Sequence, residues 1–391
     1  MSGPLSGDTT LQRGIANLFA PPTGISGAGA YTRVGNVYNF SPNALRKTRA
    51  ALARAAAGSG YARIVCVGDS ITAGKGATNR YTGSFPSVLR SVLSAQGATG
   101  GGTGWCFPFA NLGTTNDSRW TYTNFGPYTS GDQTTMNFVS STTANATLSF
   151  TSDQSGTVVD IAYLNNSGAF TYSIDGGAAV TVTPTGTQTI QKVTISGLSN
   201  ATHTVLITAS TASFTAISAI QVRNSTSGLL VSNPAVAASK TTPWTTGGSL
   251  PWYVSGKFAR LVEPSPDLVI IEPMVVNDAQ TSGGLVAPAT SQSNLVDIIT
   301  QFKGLSGAPE ILLVMPPTPN PANITTATWT PYVQAVYAAA DSAGVPLIDV
   351  ADRWGSYSTA NGLGLMFDTY HPSDAGYQDT ARAIAALVMP A

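Results

Sequence analysis

The sequence predicts an α/β protein, three layers deep around a parallel sheet, with an all-β, jelly-roll-like sandwich inserted into it. Three observations predict this. Continuous apolar runs recur at 62–68, 228–234, 266–273, 309–317 and 345–350, as in strands buried on both faces. Helical patterns such as "SQSNLVDIITQFKGL" and "TPYVQAVYAAADSAG" lie between the last three runs, and strand–helix alternation makes parallel sheets. Between about 120 and 225 the pattern changes to short alternating runs, "ATLSFTS", "TVVDIAYL" and "FTYSIDGG" among them, with six charged residues in all. Strands so spaced indicate a sandwich.

Taken in order, residues 1–40 are rich in Gly, Pro, Ser and Thr without periodicity, and read as an arm suited to attachment at a virion or cell surface. "SPNALRKTRAALARAAAGSG" offers Ser41 as N-cap and Pro42 at the first helical position, which predicts a helix over about 42–57. "ARIVCVGDS" is the first buried strand, and a second helix starts near Ser84-Phe85-Pro86 and ends by Gly97. The chain thus divides into the arm, 1–40; an α/β domain in two parts, 41–119 and 228–391; and the inserted module, 120–227, read as carbohydrate-binding. Tyr122, Tyr128, Tyr163, Tyr172 and Phe170 of the module are its candidate stacking faces, although strand aromatics are commonly core.

At 391 residues the chain exceeds the usual single core. Charged residues make up 10% of it, with a net charge of zero, against about 25% in ordinary domains; nucleic acid, which calls for a basic stripe, is excluded. No run reaches the ~20 apolar residues of a membrane span, and no Sec-type leader is visible at the start. The composition suits an extracellular or virion-associated protein, with the cytoplasm left open. Cys66 and Cys106 are the only cysteines, too few for a disulfide framework.

The chain has two histidines. His203 lies in an alternating run of the module, where a structural or surface role is expected. His371 lies in "FDTYHPSDAGY", three residues after Asp368. In a helical turn that spacing would place both side chains on one face, the carboxylate on one imidazole nitrogen and the other nitrogen free to act as a base. The alternative is a helix cap at Asp368 with His371 exposed. Ser70, in "IVCVGDSITAGKG", is either a turn serine or a nucleophile, and a serine needs such a base. Asp69, Glu272 and Asp278 fall near strand ends; with one usable histidine they read as braces of the loops, and no metal or cofactor is implied.

"VGDSIT" after a buried strand, with "FDTYHPSDAGY" near the end of the chain, resembles the SGNH (GDSL-type) hydrolase superfamily. The resemblance covers about 45–120 and 228–391. It implies a flavodoxin-like sheet, with Ser70 as nucleophile, His371 as base and Asp368 as its orienting acid. It also implies an oxyanion hole from the Ser70 N–H, the Ala238 N–H and Asn277. The family's Gly-x-Asn-Asp block has Val275 in place of its glycine, and in "VSNPAVAASKTT" Ala238 stands where the second block, begun by Asn233, has glycine. Alanine keeps its N–H, and donates if its φ is negative; a positive φ would disfavour it. Gly247-Gly248 are the alternative donors. The activity expected from the resemblance is ester hydrolysis through an acyl-serine, on an ester-bearing glycan of a polysaccharide or cell wall. A lipase- or thioesterase-like enzyme on a lipid ester, or a non-catalytic glycan-binding virion adhesin, are the alternatives.

Overall fold

The computed structural model of the chain describes residues 35–41, 43–108, 117–127, 138–165, 167–186, 190–247 and 266–389. The arm up to residue 34, Pro42, Tyr128 and Gly248 lie outside the described residues. The chain begins with strand β1 (Val37–Tyr38), helix α1 (Arg46–Ala56) and strand β2 (Tyr61–Val67). Helices α2 (Ser70–Ala73), α3 (Arg80–Gly83) and α4 (Phe85–Ala95) follow. Among the described residues ten strands come next: β3 (Trp120–Thr123), β4 (Gly126–Pro127), β5 (Val139–Ser141), β6 (Thr147–Thr151), β7 (Gly156–Leu164), β8 (Phe170–Ile174), β9 (Val180–Val182), β10 (Ile190–Ala201), β11 (Thr204–Ala209) and β12 (Thr215–Arg223). The α/β order then resumes with β13 (Gly228–Ser232), β14 (Leu268–Ile271), α5 (Val275–Asp278), α6 (Pro288–Lys303), β15 (Glu310–Met315), α7 (Thr326–Ala343) and β16 (Leu347–Asp349). Helices α8 (Val350–Trp354), α9 (Tyr357–Gly362) and α10 (Asp374–Val388) close the chain.

The central sheet has the order β1-β16-β15-β14-β2-β13. Its last five strands are parallel, and their side chains, such as Val65, Cys66, Val269, Ile270 and Leu312, are fully buried, which accounts for the continuous apolar runs. The expectation of an arm to residue 40 needs correction at its end, because Val37 and Tyr38 pair antiparallel with Ile348 and Leu347 as an edge strand. The first helix also starts later than expected: Leu45 stands before it at φ +59°, and Ser41 accepts the Ala44 N–H instead of capping it. Helix α7 begins at Thr326, whose predecessor Thr325 accepts the Thr328 N–H, so Pro331 lies inside it and not at its start. Both cysteines are buried and free.

The inserted strands form two five-stranded antiparallel sheets, β10-β7-β12-β5-β4 and β3-β6-β11-β8-β9. Phe150, Phe170, Val205, Ile207, Ile161 and Ile220 fill the space between them. The first sheet is covered on its other side too, where Phe138, Ala162, Leu164, Ile190, Ala216 and Ala219 join the core of the α/β body. This corrects the reading of β7 and β12 as alternating strands: both are buried almost throughout. Of the candidate stacking aromatics, Tyr163 and Phe170 are core, Tyr172 is partly buried, and Tyr122 is exposed with its ring stacked on Trp120 at 6.5 Å.

The passage into this module is narrow. Gly102 and Cys106 bridge to Arg223 and Ile220 of β12, while Gly101 lies against β13, where a Cβ would meet Leu229 O at 1.9 Å. A Cβ on Gly228, where the chain returns, would sit 2.2 Å from the Gly101 nitrogen. Among the described residues no helix is long and apolar enough to cross a membrane.

Candidate active site

The site lies at the carboxyl ends of β2, β13 and β14, where parallel sheets present their loops. Strand β2 ends at Val67 and the chain turns through Gly68-Asp69 into α2. Gly68 is required there, since a Cβ would lie 2.2 Å from Thr72 Oγ1 and 2.8 Å from Glu272 Oε2. Asp69 caps α2, its Oδ1 accepting the Ile71 N–H at 2.8 Å. Ser70, the first residue of α2, is thereby held at a strand-to-helix corner.

Ser70 Oγ is 2.8 Å from His371 Nε2, and His371 Nδ1 is 2.8 Å from both Asp368 oxygens. A carboxylate only accepts, so Nδ1 carries the proton and the Nε2 lone pair takes the serine hydroxyl. The segment is not the helical turn that the spacing suggested. Met366 and Pro372 bridge, and within this loop Asp368 Oδ1 accepts the N–H groups of Tyr370 and His371, each at 2.8 Å. The cap of α10 is Ser373, and His371 is 6% exposed, so the alternative of a capping Asp368 beside an exposed histidine does not describe the geometry. Burial alone would raise the Asp368 carboxyl; hydrogen bonding and the charge of His371, with the two backbone donors, outweigh it and hold it down at about 2.

The loop after β13 closes the site from another side. Asn233 Nδ2 donates to Thr72 O at 2.8 Å, and the Val236 N–H to Gly68 O at 2.9 Å. Ala238 follows at φ +59°. The condition of a negative φ is therefore not met: alanine occupies the left-handed conformation that glycine favours, at a cost of about 1–2 kcal/mol. Among the described residues, neither the Ser70 nor the Ala238 N–H has an acceptor. Asn277 sits in α5, its Nδ2 donating to Asp69 Oδ2 at 2.5 Å and to Ser239 O at 3.0 Å. Both its hydrogens are thus engaged.

The carboxylates are braces. Asp278 accepts from Thr241 N at 3.0 Å, Thr241 Oγ1 at 2.8 Å and Ser291 Oγ at 2.5 Å, which fixes the 239–241 loop against α5 and α6. Lys240 Nζ donates to the carbonyls of Gln280 and Gly284. Lys240, Thr241 and Ser291 have no motif to announce them, because their partners lie 13 to 44 residues away in sequence. Gly247 makes no contact within 4 Å of where its Cβ would be. Among the described residues no group of three His, Cys, Asp or Glu side chains is placed to hold a metal ion.

Residues 220–378 match the sequence profile of the GDSL-like Lipase/Acylhydrolase family. The chain carries a GDSL-like lipase/acylhydrolase domain. The GDSL-like match spans Ala238, Asn277, Asp368 and His371; Ser70 lies upstream of it, on the far side of the inserted sheets. The domain is that of a serine esterase, and its fold agrees with a solved peptidoglycan O-acetylesterase structure, with a TM-score of 0.65 at 19% identity, over 87% of this chain and 94% of that one. A carbohydrate esterase family 2 enzyme with a carbohydrate binding domain from Corynascus thermopiles (Myceliophthora fergusii) aligns at TM-score 0.31 and 15% identity, over 69% of this chain and 98% of that one. A family two carbohydrate esterase from Cellvibrio japonicus aligns at 0.27 and 12%, over 70% and 96%. No curated protein sequence matches the chain.

Proposed function

We propose that the protein removes O-acetyl groups from a polysaccharide or cell-wall glycan, with Ser70 as nucleophile, His371 as general base and then acid, and Asp368 as its orienting partner. The observation that carries this reading is the continuous chain of 2.8 Å contacts from Ser70 Oγ through the His371 ring to Asp368. Ser70 Oγ attacks the ester carbonyl as its proton passes to Nε2. His371 returns that proton to the departing sugar oxygen, leaving acetyl-Ser70. Water then attacks, giving its proton to Nε2, and acetate leaves as the serine oxygen recovers the proton.

The Ser70 and Ala238 N–H groups are the free backbone donors for the tetrahedral oxyanion. Asn277 becomes the third when the substrate oxygen replaces Ser239 O as acceptor of one hydrogen. The inserted sandwich is assigned to glycan binding, and an extracellular or virion-associated setting fits such a substrate. The peptidoglycan O-acetylesterase that shares its fold supports acetyl as the group removed.

The test is turnover of 4-nitrophenyl acetate and longer acyl esters by wild type and Ser70→Ala. Loss of the nucleophile should lower kcat by at least about 10³-fold, and acetate should be the preferred acyl group. A mutant as active as wild type would remove Ser70 from the mechanism. Preference for long acyl chains would favour a lipid ester instead, and a wild type inactive on all esters would favour an adhesin.

A further inference from the structure

An asparagine serves as an oxyanion donor only when its amide nitrogen, and not its carbonyl oxygen, faces the substrate, and the two ends exchange places by a half-turn of the side chain. Asn277 directs Nδ2 to Asp69 Oδ2 at 2.5 Å and to Ser239 O at 3.0 Å. Its Oδ1 points to Gln280, whose Nε2 donates to it at 3.2 Å. The same Gln280 nitrogen donates to Val276 O at 3.3 Å. Gln280 lies two residues past the end of α5, half-buried, with its own N–H on Asn277 O at 3.1 Å.

The direction of each amide follows from its neighbours. Val276 O can only accept, so the nitrogen of Gln280, not its oxygen, faces it. The second hydrogen of that nitrogen then needs an oxygen, and Asn277 Oδ1 supplies one. A reversed Asn277 would set its NH2 against that of Gln280, and its carbonyl against the oxygens of Asp69 and Ser239. When a substrate oxygen takes the place of Ser239 O, Asp69 and Gln280 are the protein groups that still hold the two ends of the amide. Gln280 is anchored in turn: its backbone carbonyl accepts Lys240 Nζ at 3.2 Å, and the same ammonium reaches Gly284 O. Lys240 stands two residues after Ala238, so this clasp ties the segment following Asn277 to the loop that carries the other donor.

We propose that Gln280 is a positioning residue of the hydrolytic site: its side-chain amide holds the Asn277 amide with the nitrogen toward the substrate oxygen, and its backbone carbonyl, through Lys240, holds the Ala238 loop beside it. This role rests on the reading of Asn277 as an oxyanion donor in ester hydrolysis, and the Gln280 side chain acts only through that neighbour. An amide fixed before the substrate arrives need not be turned as charge develops, which is where a preorganised donor gains over water.

The experiment measures kcat and KM on 4-nitrophenyl acetate for wild type, Gln280→Met, Gln280→Glu, Asn277→Ala and the double variant Asn277→Ala with Gln280→Met. Met keeps the length of the side chain without the donor, so kcat should fall about 3- to 10-fold, the scale of one neutral hydrogen bond, with KM within about twofold. In the Asn277→Ala background the same change should cost less than about twofold, because its effect passes through Asn277. An ionised Glu has no hydrogen for either carbonyl, so its activity relative to wild type should rise about fivefold from pH 8 to pH 5 as it protonates and regains a donor. A Met variant as active as wild type beside an impaired Asn277→Ala, or a loss undiminished in the double variant, would overturn the proposal. A fully active Asn277→Ala would instead remove the oxyanion reading on which it rests. Side-chain amide NMR of protein labelled with 15N-asparagine needs no substrate and decides the contact separately: the Asn277 resonance, identified by its loss in Asn277→Ala, should move in Gln280→Met, and an unmoved resonance would refute it.

Discussion

At Ala238 the backbone takes a shape that alanine resists, φ +59°, and the surrounding loop enforces it. Val236 is tied to Gly68 O, Ser239 O to Asn277 and Thr241 to Asp278, so the residue between has little choice. Ala238→Gly should therefore stabilise the protein by about 0.5–1 kcal/mol, the relief of strain less the greater freedom of an unfolded glycine. Denaturant unfolding checks this, and a less stable glycine variant would show that the loop is not strained. Ser70, Asp368 and His371 were legible in the sequence because each lies in a short motif whose local geometry is self-contained. The sign of φ at Ala238 was not legible, because partners in two other segments, the Gly68 turn and α5, set it. Nor were the two hydrogen bonds of Asn277, which join positions 38 and 208 residues apart.

Among the elements, the hairpins of the module turn on His203. Its Nδ1 is 2.7 Å from Asp175 Oδ2 and its Nε2 3.0 Å from both Gly156 O and Ser199 O, so each ring nitrogen faces only acceptors and the ring is held as an imidazolium. Burial opposes the charge, but the hydrogen bonds of Asp175, Gly156 and Ser199 outweigh it and raise the pKa. A raised folded value adds stability that is complete below the unfolded value of about 6.5 and is lost as pH rises through the folded one. Thermal melts should thus show the protein losing stability as pH rises above about 6.5, and His203→Gln should flatten that limb; an equal slope in the variant would assign the effect elsewhere. The parallel strands were legible from composition because both faces are apolar. Strands β7 and β12 belong to the same class, yet their polar members disguised it: Asp160 is buried against Arg223 Nε at 2.6 Å, and Gln221 is buried within β12. The edge strand β1 had too few residues to show a period at all.

For the whole molecule, four of the scarce charges form one network at the seam between the α/β body and the module. Arg90 of α4 meets Asp153 at 2.5 Å, Asp153 meets Arg119 at 2.8 Å, and Arg119 meets Asp117 at 2.6 Å. Burial would raise the Asp153 carboxyl, but the two guanidinium groups hold it below the usual carboxylate range. Asp153→Asn leaves Arg119 paired with Asp117 but takes from Arg90 its carboxylate partner, and should cost about 2–4 kcal/mol. One cooperative loss in chemical denaturation is expected, since Phe138, Leu164 and Ile190 of the module share the core of the α/β body; a separate, unshifted transition for either part would contradict the shared core. No motif foretold this seam, which joins residues brought together only by folding. The contact of Gly101 with Gly228 has a consequence of its own. The chain leaves and re-enters the catalytic body through one doorway two glycines wide, so the detour through ten strands adds little loop-closure cost to its host. The chain path is thus open to exchange at that doorway, but a replacement would also have to match the face that Phe138, Leu164 and Ile190 pack on the body, so the insertion is modular in its entry and not in its packing.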